Sequence, residues 1–254
     1  TTAATWPIGI AVEGASGNIN IDNNSISLSG SHAAGTGTTS AVSFYMNATT
    51  GNMRLRNNIL SNTYDNPNSA TDRIYAIYSA VPAANFSVIN YNDYYVGGTA
   101  ASQILGFITA TNQMNLAAIQ ASFGSNLNSQ NIAPVFTSAS DLHLIPLNNA
   151  PLDNLGVPLA GITLDIDSQT RSLSTPDIGA DEFTAPPCSS ANGGTQGTSS
   201  FTACSGQTLS LSSAGASAGA GIVYQWQVSP TSSGPYSNVT GGSGATTTSY
   251  ITGT

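Results

Sequence analysis

Apolar residues return at alternate positions in three short stretches of the chain, and the stretches are themselves almost evenly spaced. Gly17-Asn18-Ile19-Asn20-Ile21-Asp22-Asn23-Asn24 is followed 34 residues later by Gly51-Asn52-Met53-Arg54-Leu55-Arg56-Asn57-Asn58, and Ala84-Asn85-Phe86-Ser87-Val88-Ile89-Asn90-Tyr91 starts 33 residues after that. Superimposed, they put Ile19, Met53 and Phe86 at one apolar position and Ile21, Leu55 and Val88 at the next. Asn23, Asn57 and Asn90 share the position where the strand has to bend. Self-similarity at such a period is the signature of stacked repeats.

A strand of four residues buries one face and leaves both edges unpaired, so it is not stable alone. Copies stacked about 4.8 Å apart pair every backbone group and set each side chain over its counterpart. Asparagine tolerates left-handed backbone angles better than other residues with a Cβ. The pattern therefore predicts a structural ladder of Asn23, Asn57 and Asn90 at one corner. A second strand is predicted before each copy, at Ile8 to Val12, Val42 to Met46 and Ile74 to Tyr78, with Ile104 to Ile108 for a fourth repeat. A third is predicted after each corner, at Ser25 to Leu28, Ile59 to Ser61 and Asp93 to Val96. These residues resemble the right-handed parallel β-helix proteins, the pectin-lyase-like fold with its asparagine ladder.

Beyond the third copy, Thr111 or Asn112 is placed to cap a short helix with Leu116, Ile119 and Phe123 on one face and Gly124 as its stop. Then come Ala133-Pro134-Val135-Phe136, Asp141-Leu142-His143-Leu144, Asn149-Ala150-Pro151-Leu152-Asp153-Asn154-Leu155-Gly156, Asp165-Ile166-Asp167 with Arg171, and Pro176-Asp177-Ile178-Gly179-Ala180-Asp181-Glu182-Phe183. This run is similar to the C-terminal segment of secreted bacterial β-helix proteins, where such a pattern closes the helix. It departs from that pattern at Asn149, where Ser is usual, and at Ser168, where Gly is usual. Thr184-Ala185-Pro186-Pro187 reads as a linker, because Pro-Pro does not continue a sheet. The expected organisation is a β-helix with its C-terminal region over 1–183, a linker over 184–187 and a second module over 188–254.

In that module Cys204-Ser205-Gly206, the alternation from Thr208 to Leu211 and Val223-Tyr224-Gln225-Trp226-Gln227-Val228-Ser229 resemble strands B and C of the Ig-like modules repeated in large bacterial surface proteins. The resemblance implies a core role for Trp226. It also implies an incomplete sandwich, since the strand F such a domain requires would lie beyond Thr254. Cys204 would pair with a cysteine on that strand, and Cys188 with one near the domain's end. Free thiols, or a bond between Cys188 and Cys204, stay open. The fold class expected is thus all-β.

Charge narrows the function. The chain carries four basic residues, all arginine, against twelve acids, for a net charge of −8. With no basic run, binding to nucleic acid or to an anionic membrane is not expected. No apolar run is long enough to span a bilayer, so membrane insertion is not expected either. The abrupt entry from Thr1 to Trp6 into a strand predicts further repeats upstream, since an uncovered end of such a stack exposes unpaired backbone.

Three sets of residues offer candidate chemistry. On the repeated strand the outward positions hold Asn20, Arg54 and Ser87, and then Asp22, Arg56 and Ile89. Asp22, Arg54 and Arg56 form a possible surface ligand patch, against which stands a cross-repeat ion pair. Asp72-Arg73 and Tyr64, Tyr75, Tyr78, Tyr91, Tyr94 and Tyr95 gather near the loops Ser29 to Ser40 and Asn62 to Asp72, and suit either packing or an aromatic platform for sugar rings. Asp165, Asp167, Asp177, Asp181 and Glu182 supply the clustered carboxylates that calcium takes, while Arg171 offers them a structural partner instead. His143, in an alternating apolar strand, reads as a packed or surface residue.

Lyases and glycosidases on a β-helix gather a base or a carboxylate pair, with calcium or arginine, in one groove. Here nothing matches, so no catalytic residue and no cofactor are assigned. The expected function is a non-catalytic segment of a large secreted or cell-surface bacterial adhesin or structural filament. Its partners would be other domains of the same chain, a surface polysaccharide or another cell. The family resemblance implies export by a type IX route. The alternative is a carbohydrate-active or carbohydrate-binding β-helix whose site lies upstream.

Overall fold

The computed structural model describes residues 7–31, 40–48, 51–65, 73–98, 103–186, 195–196, 207–216 and 223–253. The chain divides into two compact units, Thr1–Ala185 and Pro186–Thr254. Among the described residues it is built mostly of strands, with one α-helix. None of its described helices is long and apolar enough to cross a membrane.

In the first unit the chain lays down three strands and then repeats the set. The first set is β1 (Ile8–Gly14), β2 (Asn20–Asp22) and β3 (Ser25–Leu28), and the second is β4 (Ser40–Ala48), β5 (Met53–Arg56) and β6 (Ile59–Asn62). The third is β7 (Arg73–Ser79), β8 (Phe86–Asn90) and β9 (Asp93–Val96), followed by β10 (Gly106–Ile108) and β11 (Thr111–Gln113). Each set adds one strand to each of three sheets, ordered β1-β4-β7-β10-β11, β2-β5-β8 and β3-β6-β9. All these pairings are parallel except β10 with β11. Residues 34 apart face each other, as in Asn20 with Arg54 and Ile26 with Leu60. Their strands can be so short because backbone groups are satisfied by the neighbouring repeat.

The bends between strands fall on left-handed residues. Asn18 (φ 57°) and Asn52 (φ 67°) turn the chain ahead of β2 and β5, and Asn23 (φ 55°) and Asn57 (φ 54°) turn it after them. The third set differs. Pairing slips by one residue between Met53 with Phe86 and Arg54 with Val88, which leaves Ser87 as the extra residue of a bulge. Two sequence-based expectations change as a result. Ile89, buried, succeeds Ile21 and Leu55 in the interior, while Val88 is 38% exposed. Asn90 faces Arg56 and not Asn57, and the left-handed corner falls on Tyr91 (φ 58°). Asn90 is therefore not the third rung beside Asn23 and Asn57, which are themselves joined by a long amide contact of 3.4 Å.

The continuous ladder runs one position later. Asn24 donates from its backbone and side chain to Asn58 Oδ1 (3.0 and 2.9 Å), and Asn58 donates likewise to Asn92 Oδ1 (3.1 and 2.9 Å). Asn58 Nδ2 also reaches Ile21 O, and Asn92 Nδ2 reaches Leu55 O. Ser129 Oγ continues the series by accepting from Asn92 N at 2.9 Å. Asn58 and Asn92 are fully buried, and a buried amide is tolerable only with this degree of satisfaction.

The main core between the sheets holds Phe44, Met46, Met53, Leu55, Leu60, Ile77, Phe86, Ile89 and Tyr94 among others. At about 1.5–3 kcal/mol for each large apolar side chain buried, this cluster is the dominant favourable term. Helix α1 (Leu116–Phe123) adds Ile119 and Phe123, with Phe123 edge-on to Phe86 at 5.3 Å. Its cap is Asn115, whose side chain accepts from Ala118 N, and not Thr111 or Asn112, which are drawn into β11 by pairing with β10. Gly124 (φ 64°) ends it and donates to Gln120 O.

The segment after α1 runs back along the stack. Its hairpin of β12 (Phe136–Ser138) and β13 (Asp141–Leu144) leads to a second core in which Leu144, Leu152 and Ile178 pack on Ile59 of β6. The corner asparagines anchor it: Asn57 Nδ2 donates to Val157 O at 2.8 Å, Val157 N donates to Asn57 Oδ1 at 3.0 Å, and Gly179 N donates to Asn57 O. Gly179 (φ 100°) has to be glycine here, since a Cβ would sit 2.7 Å from Ser25 Oγ and 2.8 Å from Ile59 Cδ1.

In the second unit β14 (Thr195–Gln196), β15 (Ser210–Ala214) and β18 (Ser249–Ile251) pair antiparallel, as do β16 (Gln227–Val228) and β17 (Ser237–Asn238). Trp226 stacks on the buried Tyr250 at 6.1 Å and donates from Nε1 to Thr247 O. Cys188 and Cys204 lie outside the described residues.

Candidate functional site

The repeat register brings Asp22 and Arg56 together. They are paired strand residues, and Arg56 grips the carboxylate through two nitrogens, Nε to Oδ1 at 3.0 Å and Nη2 to Oδ2 at 2.8 Å. The Asp22 side chain is only 7% exposed, so both its oxygens are committed to the arginine. Arg54 stands two residues away, exposed, opposite Asn20 and Val88. Among the described residues the trio holds one internal ion pair and one exposed cation outside it, which offers a ligand little.

The tyrosines divide by depth. Tyr94 is fully buried, its hydroxyl meeting Asn92 and Asn126, and Tyr75 is 3% exposed. Tyr45 and Tyr78 are register partners, as are Tyr78 and Phe107. Their rings form a file, Tyr45 to Tyr78 at 5.3 Å and Tyr78 stacked on Phe107 at 4.4 Å, over a small cluster of Val42, Tyr75 and Ile104. Rings stacked on one another use the faces that a sugar would need. Arg73 is exposed at the start of β7, and Asp72 lies outside the described residues.

The acids of the last stretch separate into two groups. Asp165 accepts from the backbone of Asp167, Gln169 and Glu182. Asp177 accepts from Asn154 N and Phe183 N, and burial pushes its carboxyl up to about 7. Glu182 accepts from Ser172 N, Asp177 N and Arg171, whose guanidinium is buried and also donates to Gly179 O and Ala180 O. These three acids are the internal frame of the segment. No family model, curated protein or solved structure matches this chain.

Asp167 and Asp181 turn the other way, toward His143. His143 Nε2 lies 2.7 Å from Asp167 Oδ2, and one ligand atom each from His143, Asp167 and Asp181 lie within 4.8 Å of one another. On the far side of the ring, Nδ1 meets Asp141 Oδ1. The two acids beside it raise the imidazole's proton affinity, and the bond from His143 lowers the Asp141 carboxyl. Asp181 is buried, with Oδ2 held by Leu144 N at 2.8 Å, and burial raises its carboxyl. An imidazole between carboxylates on three chain segments can share a proton or hold a cation. In the sequence His143 reads as a packed or surface residue, and the one local signal of the cluster is Asp141 and His143 two apart, a spacing that puts both on one face of a strand. The approach of Asp167 and Asp181, 24 and 38 residues on, has no local signature.

Proposed function

We propose that this chain is a non-catalytic segment of a large secreted or cell-surface bacterial protein, a parallel β-helix followed by an Ig-like module, that works as an adhesin or structural filament. The observation that carries the reading is the Asn24–Asn58–Asn92 ladder, buried at Asn58 and Asn92, linking three successive sets of parallel strands. Such a stack grows by repetition and is stabilised mainly by neighbouring repeats, which suits a load-bearing rod. Chemistry needs ionisable groups gathered where a substrate reaches them. Here Asp22 is matched to Arg56 and Glu182 to Arg171, each inside its own frame, and the half-exposed His143 is engaged from both sides by Asp141 and Asp167. The tilted contact of Tyr45 with Tyr78 and the stacking of Tyr78 on Phe107 favour packing over a sugar platform.

Deleting the coding segment from the parent gene tests this. The expected result is impaired attachment, gliding or surface fibres, with growth on polysaccharides unchanged. Loss of growth on one polysaccharide with attachment intact would replace the reading with a carbohydrate-active one.

A further inference from the structure

We propose that His143, Asp167 and Asp181 form a binding site for a borderline divalent metal ion of the zinc class, oriented by Asp141. The ligand atoms come from β13, from the turn at 165–169 and from the stretch 176–183, and already lie within 4.8 Å of one another. Zinc bound at about 2.0–2.2 Å to each would bring them to about 3–3.5 Å apart, a small adjustment for the half-exposed side chains of His143 and Asp167. The contact of Nδ1 with Asp141 points Nε2 at Asp167, which is how metal-binding imidazoles are commonly held. Asp181 has Oδ2 fixed by Leu144 N, and the carboxylate contributes one oxygen to the cluster.

The donor set decides the class. Calcium takes six to eight oxygens, and here a nitrogen is central while Asp165, Asp177 and Glu182 spend their oxygens on backbone N–H groups and Arg171. One imidazole and two carboxylates suit zinc or a similar first-row ion. Three protein ligands leave a coordination position for water or for a group on another molecule. The ion would also join three segments, so binding would stabilise this part of the fold.

The test uses the whole chain with Cys188→Ser and Cys204→Ser, stripped with EDTA, titrated with zinc chloride by calorimetry and melted with and without the ion. One zinc per chain at micromolar affinity is expected, with a melting temperature that rises with zinc and falls back with EDTA. His143→Ala and Asp167→Asn should each weaken binding at least about 100-fold, and Asp141→Asn about 10- to 100-fold. Asp167 is half-exposed, so its variant should fold and keep the metal-free melting temperature. Absence of stoichiometric binding, or an Asp167→Asn chain that binds as tightly as its parent, overturns the proposal in favour of a histidine bridging two carboxylates.

Discussion

Asn57 and Val157 are 100 residues apart, yet the side-chain amide of the first takes both the N–H and the C=O of the second. A single corner residue thereby turns the chain, at φ 54°, and fastens the returning segment to the stack. Asn57→Ala loses both hydrogen bonds and pays about 1 kcal/mol for the left-handed backbone, so a loss of about 2–4 kcal/mol is expected in denaturant unfolding. Asn57→Gly keeps the turn and loses only the bonds, and should fall between. Equal stability of all three proteins would show that this junction does not hold the segment.

The two asparagine files make opposite predictions at neighbouring positions. Asn92 is fully buried and bridges Asn58, Leu55 O and Ser129, whereas Asn90 accepts from Asn128 N and Tyr91 N at the edge. Asn92→Ala should cost about 2–4 kcal/mol and Asn90→Ala about 1 kcal/mol or less. The reverse order in chemical unfolding would move the ladder back to the Asn23–Asn57–Asn90 register.

These two files show what local pattern can reveal. Alternation at Ile19/Ile21 and Met53/Leu55 marks strands because only one phase buries apolar side chains, and the interval of 34 makes successive copies neighbours. Phe86-Ser87-Val88-Ile89 fits either phase, since Val88 and Ile89 are both apolar, so a bulge that flips them leaves no trace in composition. Asn23-Asn24 and Asn57-Asn58 are doublets, and either member fits a corner. What separates them is spacing, 34 and 34 for Asn24, Asn58 and Asn92 against 34 and 33 for the other file. The His143 cluster depends on the fold of 163–183 against β13, a long-range event that no window of sequence contains.

Charge on the repeated strand is asymmetric in the same way. Asp22 is 7% exposed beneath the Arg56 guanidinium, and removing Arg56 leaves its carboxylate unmatched, so Arg56→Ala should cost about 1–3 kcal/mol. Arg54 is exposed, and Arg54→Ala should stay within about 0.5 kcal/mol of the parent. The double variant Asp22→Asn/Arg56→Gln, which removes both charges, should recover part of the loss in thermal or chemical melts. Equal costs at Arg54 and Arg56 would mean that the pair contributes nothing.

Stability should also depend on pH through Asp93. This side chain is fully buried beside Ile59, accepts from Ile132 N through Oδ1, and has no partner for Oδ2 among the described residues. Burial raises its carboxyl to about 7. Between the unfolded value near 4 and that folded value, the native chain holds a proton that the unfolded chain has lost. Stability therefore falls as pH rises through this window and levels off above about 7, by at most about 4 kcal/mol for a shift of about three units. Asp177, also raised to about 7, tilts the curve the same way, so the slope does not rest on Asp93 alone. Asp93→Asn keeps the shape and removes one titration. The variant should be less stable than the parent at pH 4.5, where its amide buries two N–H donors against the single O–H of the neutral acid, and should match or exceed it at pH 7.5. A stability difference that stays constant from pH 4.5 to 7.5 would show that Asp93 does not titrate in this range.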